Sequence, residues 1–222
     1  MTQSATRGIL RVAGRCDTGA VEFAEVMRRR RMVRNYTDEP VSGEALERIA
    51  RAGRRAPSGG FSQGVRMVVV TDPGMRRLIA ELADEPYYLE RGHEPWISRA
   101  PAHIVVGLRE NDYHDRYQEA DKLEDGEEID WPVPWWWVDA GKAMMLLLLA
   151  AVDEGLGAGL FGLYPAANNE RLREAPGLPE DVAVVGVVTV GHPAGEPLEA
   201  ERKKTLKRRR RPLEDVVRWE RW

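Results

Sequence analysis

The chain has 222 residues, 43% of them apolar and 31% charged, with 33 basic against 36 acidic side chains for a net charge of −3. That balance suits one soluble globular domain, excludes a disordered or fibrous chain, and leaves no global positive field to draw the protein onto nucleic acid. The lone Cys16 excludes an intrachain disulfide and a thiolate zinc site, and it fits a reducing cytoplasm.

Residues 1–20 form a Gly- and Arg-containing leader, expected to be flexible, whose short apolar stretches lack a signal-peptide core. The spacing in VEFAEVMRRRRM then predicts a helix over 21–32, with its arginines in the last turns, where cations complement the helix dipole. Helical spacing would put Arg30 and Arg34 on one face, where clustered guanidiniums suit a phosphate, although charge runs more often face water. Ser42 is a helix N-cap, and Leu46, Ile49, Ala50 and Gly53 form an apolar face in a second helix that ends before Pro57. The turn APSGGFSQ follows; its glycines permit close backbone approach to a flat ligand, and a plain loop is the simpler reading.

Three strands are expected, over 65–70 (VRMVVV), 103–108 (HIVVGL) and 182–190 (VAVVGVVTV), with a helix over 75–83 after the first. Residues 109–130 are acidic and without a clear period, an excursion or lid extending to about residue 137. Four tryptophans lie in the stretch 131–137, where core or dimer packing and an aromatic wall for a planar ligand are equally open. Asp139 is expected to cap a long helix running to about Glu154, apolar nearly all round and hence buried in a core or an interface. The apolar run 143–152 is far short of the roughly 20 residues that span a bilayer. Residues 212–222 form an amphipathic arm with two tryptophans, of a kind that packs on something, often a second subunit. Helices outnumber strands without regular alternation, so the expected fold is α+β, one domain over 21–222.

The histidines His93, His103, His114 and His192 have no metal-binding spacing, so no metal site is expected. There is no dinucleotide or phosphate-loop fingerprint, no nucleophile elbow, and no side chain that stands out as a catalytic proton donor.

Taken in order, RRxxVRNYTDEPV, APSGGFSQ, DAGKAMMLLLLAAVDEGLGAGLFG, and VVGVVTVGHP with KRRRRPLEDVV resemble the FMN-dependent nitroreductase family from about residue 21 to residue 218. The resemblance implies a nitroreductase-like α+β fold, with a mixed, mainly antiparallel sheet flanked by helices. It also implies a homodimer through the long central helix, with FMN bound in clefts at the subunit interface. By the same resemblance Arg30 and Arg31 hold the FMN phosphate and ribityl chain, and Arg34 lies near the pyrimidine edge. Pro57, Ser58 and Gly59 come from the partner subunit; Leu160, Phe161 and Gly162 pass beside the reactive N5; Arg208 and Arg210 complete the phosphate clamp. Met32 and Phe61 stand at cofactor-contacting positions where the family commonly has serine and asparagine, and Phe161 where it often has glutamate.

The implied activity is a ping-pong NAD(P)H oxidoreductase that passes hydride through flavin N5 to a nitroaromatic, quinone or related flat acceptor, with Trp135, Trp136 and Tyr113 as candidate substrate contacts. The alternatives are the same fold with other chemistry (reductive dehalogenation, flavin fragmentation or small-molecule dehydrogenation), a flavin carrier without turnover, and a nucleic-acid binder using its basic tail. The last is disfavoured by an acidic chain, and no membrane partner is expected.

Overall fold

A computed structural model describes residues 22–165, 167–195 and 210–222. Arg208 and the leader 1–20 therefore lie outside the described residues. Within them the chain forms seven helices and four strands: α1 Phe23–Arg29, α2 Gly43–Gly53, β1 Val65–Val70, α3 Pro73–Leu82, α4 Glu85–Leu89, β2 Ala102–Leu108, α5 Asn111–Tyr117, α6 Trp135–Asp153, β3 Gly157–Phe161, α7 Ala167–Glu174 and β4 Ala183–Gly191.

The strands make one sheet in the order β1-β2-β4-β3, every neighbouring pair antiparallel. Side chains alternate across a sheet, and the two cores follow from that alternation. Ile104 and Val106 of β2 and Val188 and Val190 of β4 pack under α2 and α6 with Leu46, Ile49, Leu147 and Leu148. Val105 and Val187 face the opposite layer, where Ile79 and Leu82 of α3 meet Leu172 of α7. β2 is buried along its whole length, whereas β1 is an edge strand and mostly half-buried.

Several elements depart from expectation. β3 is a fourth strand beyond the three expected. Its glycines permit close approach: a Cβ on Gly159 would lie 2.6 Å from the Val33 carbonyl oxygen and 2.7 Å from Thr189 Oγ1. α1 stops at Arg29 instead of running to Met32. Beyond it the chain becomes a strap on β3, with Met32 bridging Ala158 in parallel and Tyr36 bridging Pro193. Burial of Val33 and Tyr36 there outweighs the one further helical turn, crowded with like charges, that would reach Met32. Arg30 and Arg34 consequently do not share a helical face. The excursion 109–130 contains α5.

α6 begins at Trp135, so Asp139 is not its cap but a buried residue within it. At 19 residues α6 is long and apolar enough by length and composition to cross a bilayer, but half of it is buried inside the fold. Gly53 lets α2 sit close on it, since a Cβ there would fall 2.7 Å from Leu147 Cδ2.

Candidate active site

The strap and β3 are locked together by buried polar groups. The Val33 N–H donates to the Ala158 carbonyl at 2.9 Å, and the Tyr36 hydroxyl donates to the Val33 carbonyl at 2.7 Å. Thr189 Oγ1 lies 2.7 Å from the same hydroxyl and accepts the Gly159 N–H at 3.1 Å. Because the Tyr36 proton is spent on a carbonyl, Thr189 must be the donor to Tyr36. This lattice fixes the register of the whole segment that carries Arg30, Arg31, Met32 and Arg34.

Their electrostatic settings differ. Arg28 is committed to Glu25, at 2.6 Å, and Arg29 lies 3.8 Å from the same carboxylate. Among the described residues Arg30 and Arg31 have no acidic partner, which leaves two guanidiniums for an external anion. Arg34 lies over the indole of Trp96, 5.3 Å from the ring centroid, and that indole meets Phe161 edge-on at 5.5 Å. Arg34 and Phe161, distant in sequence, are thus brought to one place at the end of β3. Leu160 packs into the core beneath, and Gly162 is exposed just beyond, with open space where a Cβ would stand.

Pro57, Ser58, Gly59 and Phe61 form a second group, a 3-10 turn seated on α5 and the start of α6. Asp139, with a side chain 2% exposed, organises it. Its Oδ2 accepts the Gly59 N–H at 2.8 Å and the Tyr113 hydroxyl at 2.9 Å, and its Oδ1 pairs with Lys142 at 2.7 Å. Arg116 Nε donates to the Gly60 carbonyl at 3.0 Å from the other side. Phe61 projects from this turn 75% exposed, at a left-handed φ of 63° that is costly for a residue with a Cβ.

Tyr113 and Trp136 do not line a surface. Both are buried in an aromatic cluster with Trp131 and His114, and the Tyr113 hydroxyl is spent on Asp139. Trp135 remains 45% exposed, with Lys142 Nζ 5.8 Å from its ring centroid. Arg210 opens the described segment 210–222, which is exposed throughout. Asp139 and Trp96 are the residues that sequence reasoning missed. A lone carboxylate inside an apolar helix was a signal for Asp139; Trp96 lies in a loop with no periodicity to flag it.

These features define a class: an α+β protein whose strap and sheet edge present basic side chains beside aromatic ones, with a strained turn elsewhere on the same chain. The nitroreductase family model matches residues 27–192, and the chain belongs to that family. An Archaeoglobus fulgidus protein whose name couples NADH dehydrogenase with NAD(P)H nitroreductase is 30% identical over 176 residues, 79% of this chain and 87% of its own length. The FMN reductase [NAD(P)H] of Bacillus subtilis is 34% identical over 171 residues; the match covers 74% of this chain but 63% of the reductase. A Desulfovibrio desulfuricans protein solved in complex with FMN superposes with a TM-score of 0.64 at 25% identity, covering 90% of this chain and 97% of that one.

Proposed function

We infer that this chain is an FMN-dependent NAD(P)H oxidoreductase that reduces flat acceptors such as nitroaromatics and quinones, working in the cytoplasm as a homodimer. The observation that carries this reading is the donor set on the strap. Arg30 and Arg31 offer guanidiniums with no acidic partner among the described residues, and Arg34 is held beside Phe161 at the end of β3. A dianionic phosphate, a polyhydroxyl chain and a ring whose reduced form is anionic suit that set in that order. FMN fits these residues.

Arg30 and Arg31 would hold the phosphate and ribityl chain, joined by Arg208 and Arg210, while Arg34 would place a cation at the pyrimidine edge. Leu160, Phe161 and Gly162 would lie beside the ring, and the exposed backbone at Gly162 admits close approach. Pro57, Ser58, Gly59 and Phe61 would come from the partner subunit. The separate seating of that turn, on α5 and α6 rather than on β3, supports a site completed between two copies. Met32, half-buried on the core, supplies packing where a polar contact is usual. Held by these residues, FMN would supply the redox chemistry, hydride transfer through N5 between NAD(P)H and the acceptor in a ping-pong cycle. The protein's share is to bind, orient and stabilise charge, with Trp135 as a flat contact for substrate.

The absorption spectrum of the purified protein tests this first. A flavin spectrum that NAD(P)H bleaches anaerobically is expected, with turnover on a panel of nitroaromatics and quinones. Arg30→Ala should leave a folded protein that purifies with little flavin; full retention of FMN would remove Arg30 from the clamp.

A further inference from the structure

We propose that Trp96 is a positioning residue of the flavin half-site: its indole holds the Arg34 guanidinium at the end of β3, and the buried Glu85 carboxylate fixes the loop that presents it. The proposal rests on the FMN reading above.

Trp96 joins the two halves of this site. Its ring supports Arg34 at 5.3 Å on one side and meets the Phe161 ring at 5.5 Å and 83° on the other. Fit around it is close, since a Cβ on Gly159 would stand 2.9 Å from Trp96 Cζ3. An arginine at a protein surface ordinarily samples many rotamers; stacking on an indole restricts them and favours the charged head over the ring face.

The loop is held more firmly than its irregular backbone requires. Glu85, 5% exposed, accepts the backbone N–H groups of Trp96, Ile97 and Ser98 at 2.8, 2.7 and 3.1 Å. His103, fully buried, donates from Nε2 to the Ile97 carbonyl at 2.8 Å, since a carbonyl can only accept. Burial pushes its pKa down to about 4, so it acts as a neutral donor. Arg76 donates to the Ala100 carbonyl at 2.8 Å. Three elements, α3, α4 and β2, thus converge on residues 96–100, and the side chain they aim is the one beneath Arg34.

If Trp96 acts through Arg34, its removal takes away the ring face under the cation and loosens its placement, weakening FMN binding and leaving the anionic reduced flavin less stabilised. The test titrates flavin-free protein with FMN by fluorescence quenching and measures the midpoint potential of the bound flavin. It uses Trp96→Leu, Trp96→Phe, Arg34→Ala and the two double variants. Trp96→Leu is expected to weaken FMN binding about tenfold, within the range of a partly desolvated cation–π contact, and to make the potential more negative. Trp96→Phe, which keeps a ring face, should lose about threefold and carries the comparison if the leucine variant folds poorly.

In the Arg34→Ala background neither substitution should change affinity or potential further. Wild-type values in Trp96→Leu, or an undiminished loss in the Arg34→Ala background, would overturn the positioning role. A wild-type protein that takes up no FMN would instead overturn the flavin reading and this role with it.

Discussion

Asp139 shows how one charged side chain makes a strained turn affordable. Its carboxylate lies within an apolar helix, 2% exposed, yet each neighbour that approaches it is a donor: the Gly59 N–H, the Tyr113 hydroxyl and the Lys142 ammonium. Burial, then the hydrogen bond to Asp139, raises the Tyr113 pKa well above that of an ordinary phenol, so the hydroxyl stays protonated and keeps donating. Removing the carboxylate strands a buried phenol and a backbone N–H, each costing about 1–3 kcal/mol. Lys142, 40% exposed, can recover water. Asp139→Ala should therefore lose about 3 kcal/mol in urea unfolding, seen as a lower midpoint at constant slope. Asp139→Asn, which keeps an acceptor oxygen for the turn, should lose less than half of that; equal losses would mean that the ion pair, not the turn, is what Asp139 serves.

α5 and the segment after it form an element with its own pH response. Glu128 accepts from Trp131 Nε1 at 2.6 Å and from Gln118 at 3.2 Å, and it pairs with His114 Nδ1 at 2.6 Å. The Glu128 hydrogen bond raises the His114 pKa above its ordinary 6.5. Burial opposes the Glu128 charge, but its three donors outweigh burial and hold the pKa below 4.5. A raised histidine pKa contributes stability that is complete below about pH 6.5 and lost as pH rises through the raised value; a lowered carboxylate pKa contributes above 4.5 and is lost toward acid. With His114 one-third exposed, the pair is worth roughly 0.5 kcal/mol. Between pH 6 and 8.5 the wild type should lose about 1–2 °C more in Tm than His114→Gln, and parallel melting profiles would refute the pairing.

At this same scale the legibility of the chain can be explained. α2, β1, β2 and β4 were readable because a cap or a β-branched run marks each one locally. β3 was not, because its glycines answer to the strap across from it. The early stop of α1 and the early start of α6 likewise depend on distant partners: Ala158 receives Val33, and Gly59 claims Asp139. Arg30, Arg31 and Arg34 could be placed by resemblance to a family, whereas Trp96 gains meaning only once the fold sets it under Arg34.

At the scale of the molecule, the described residues of one chain carry apolar surface that the proposed homodimer would bury. On α1 and α6, Phe23 is 70% exposed, Met27 51%, Trp135 and Trp137 45% each and Met145 46%. On the arm, Leu213 is 71% exposed, Trp219 85% and Trp222 83%. Exposed patches rich in aromatics mark association surfaces, and in a two-fold assembly each arm and each α6 face is offered twice, so one exchange covers both copies. On the proposed function, the same association would bring the turn around Phe61 in one copy toward the strap of the other, and dimerisation and flavin binding would then be one event. Deleting 212–222 retains Arg210 but removes Leu213, Trp219 and Trp222, anchors of the type that contribute 2 kcal/mol or more each at interface centres. By sedimentation, the intact protein should run at about twice its 25.0 kDa chain mass. The shortened one should dissociate at concentrations at least about 30-fold higher, a shift equivalent to about 2 kcal/mol. Its FMN content should fall in step with its dimer fraction across a dilution series. Flavin retained by a monomer would show that strap and turn do not need each other, and it would confine the site to the Arg30, Arg34 and Phe161 side of a single chain.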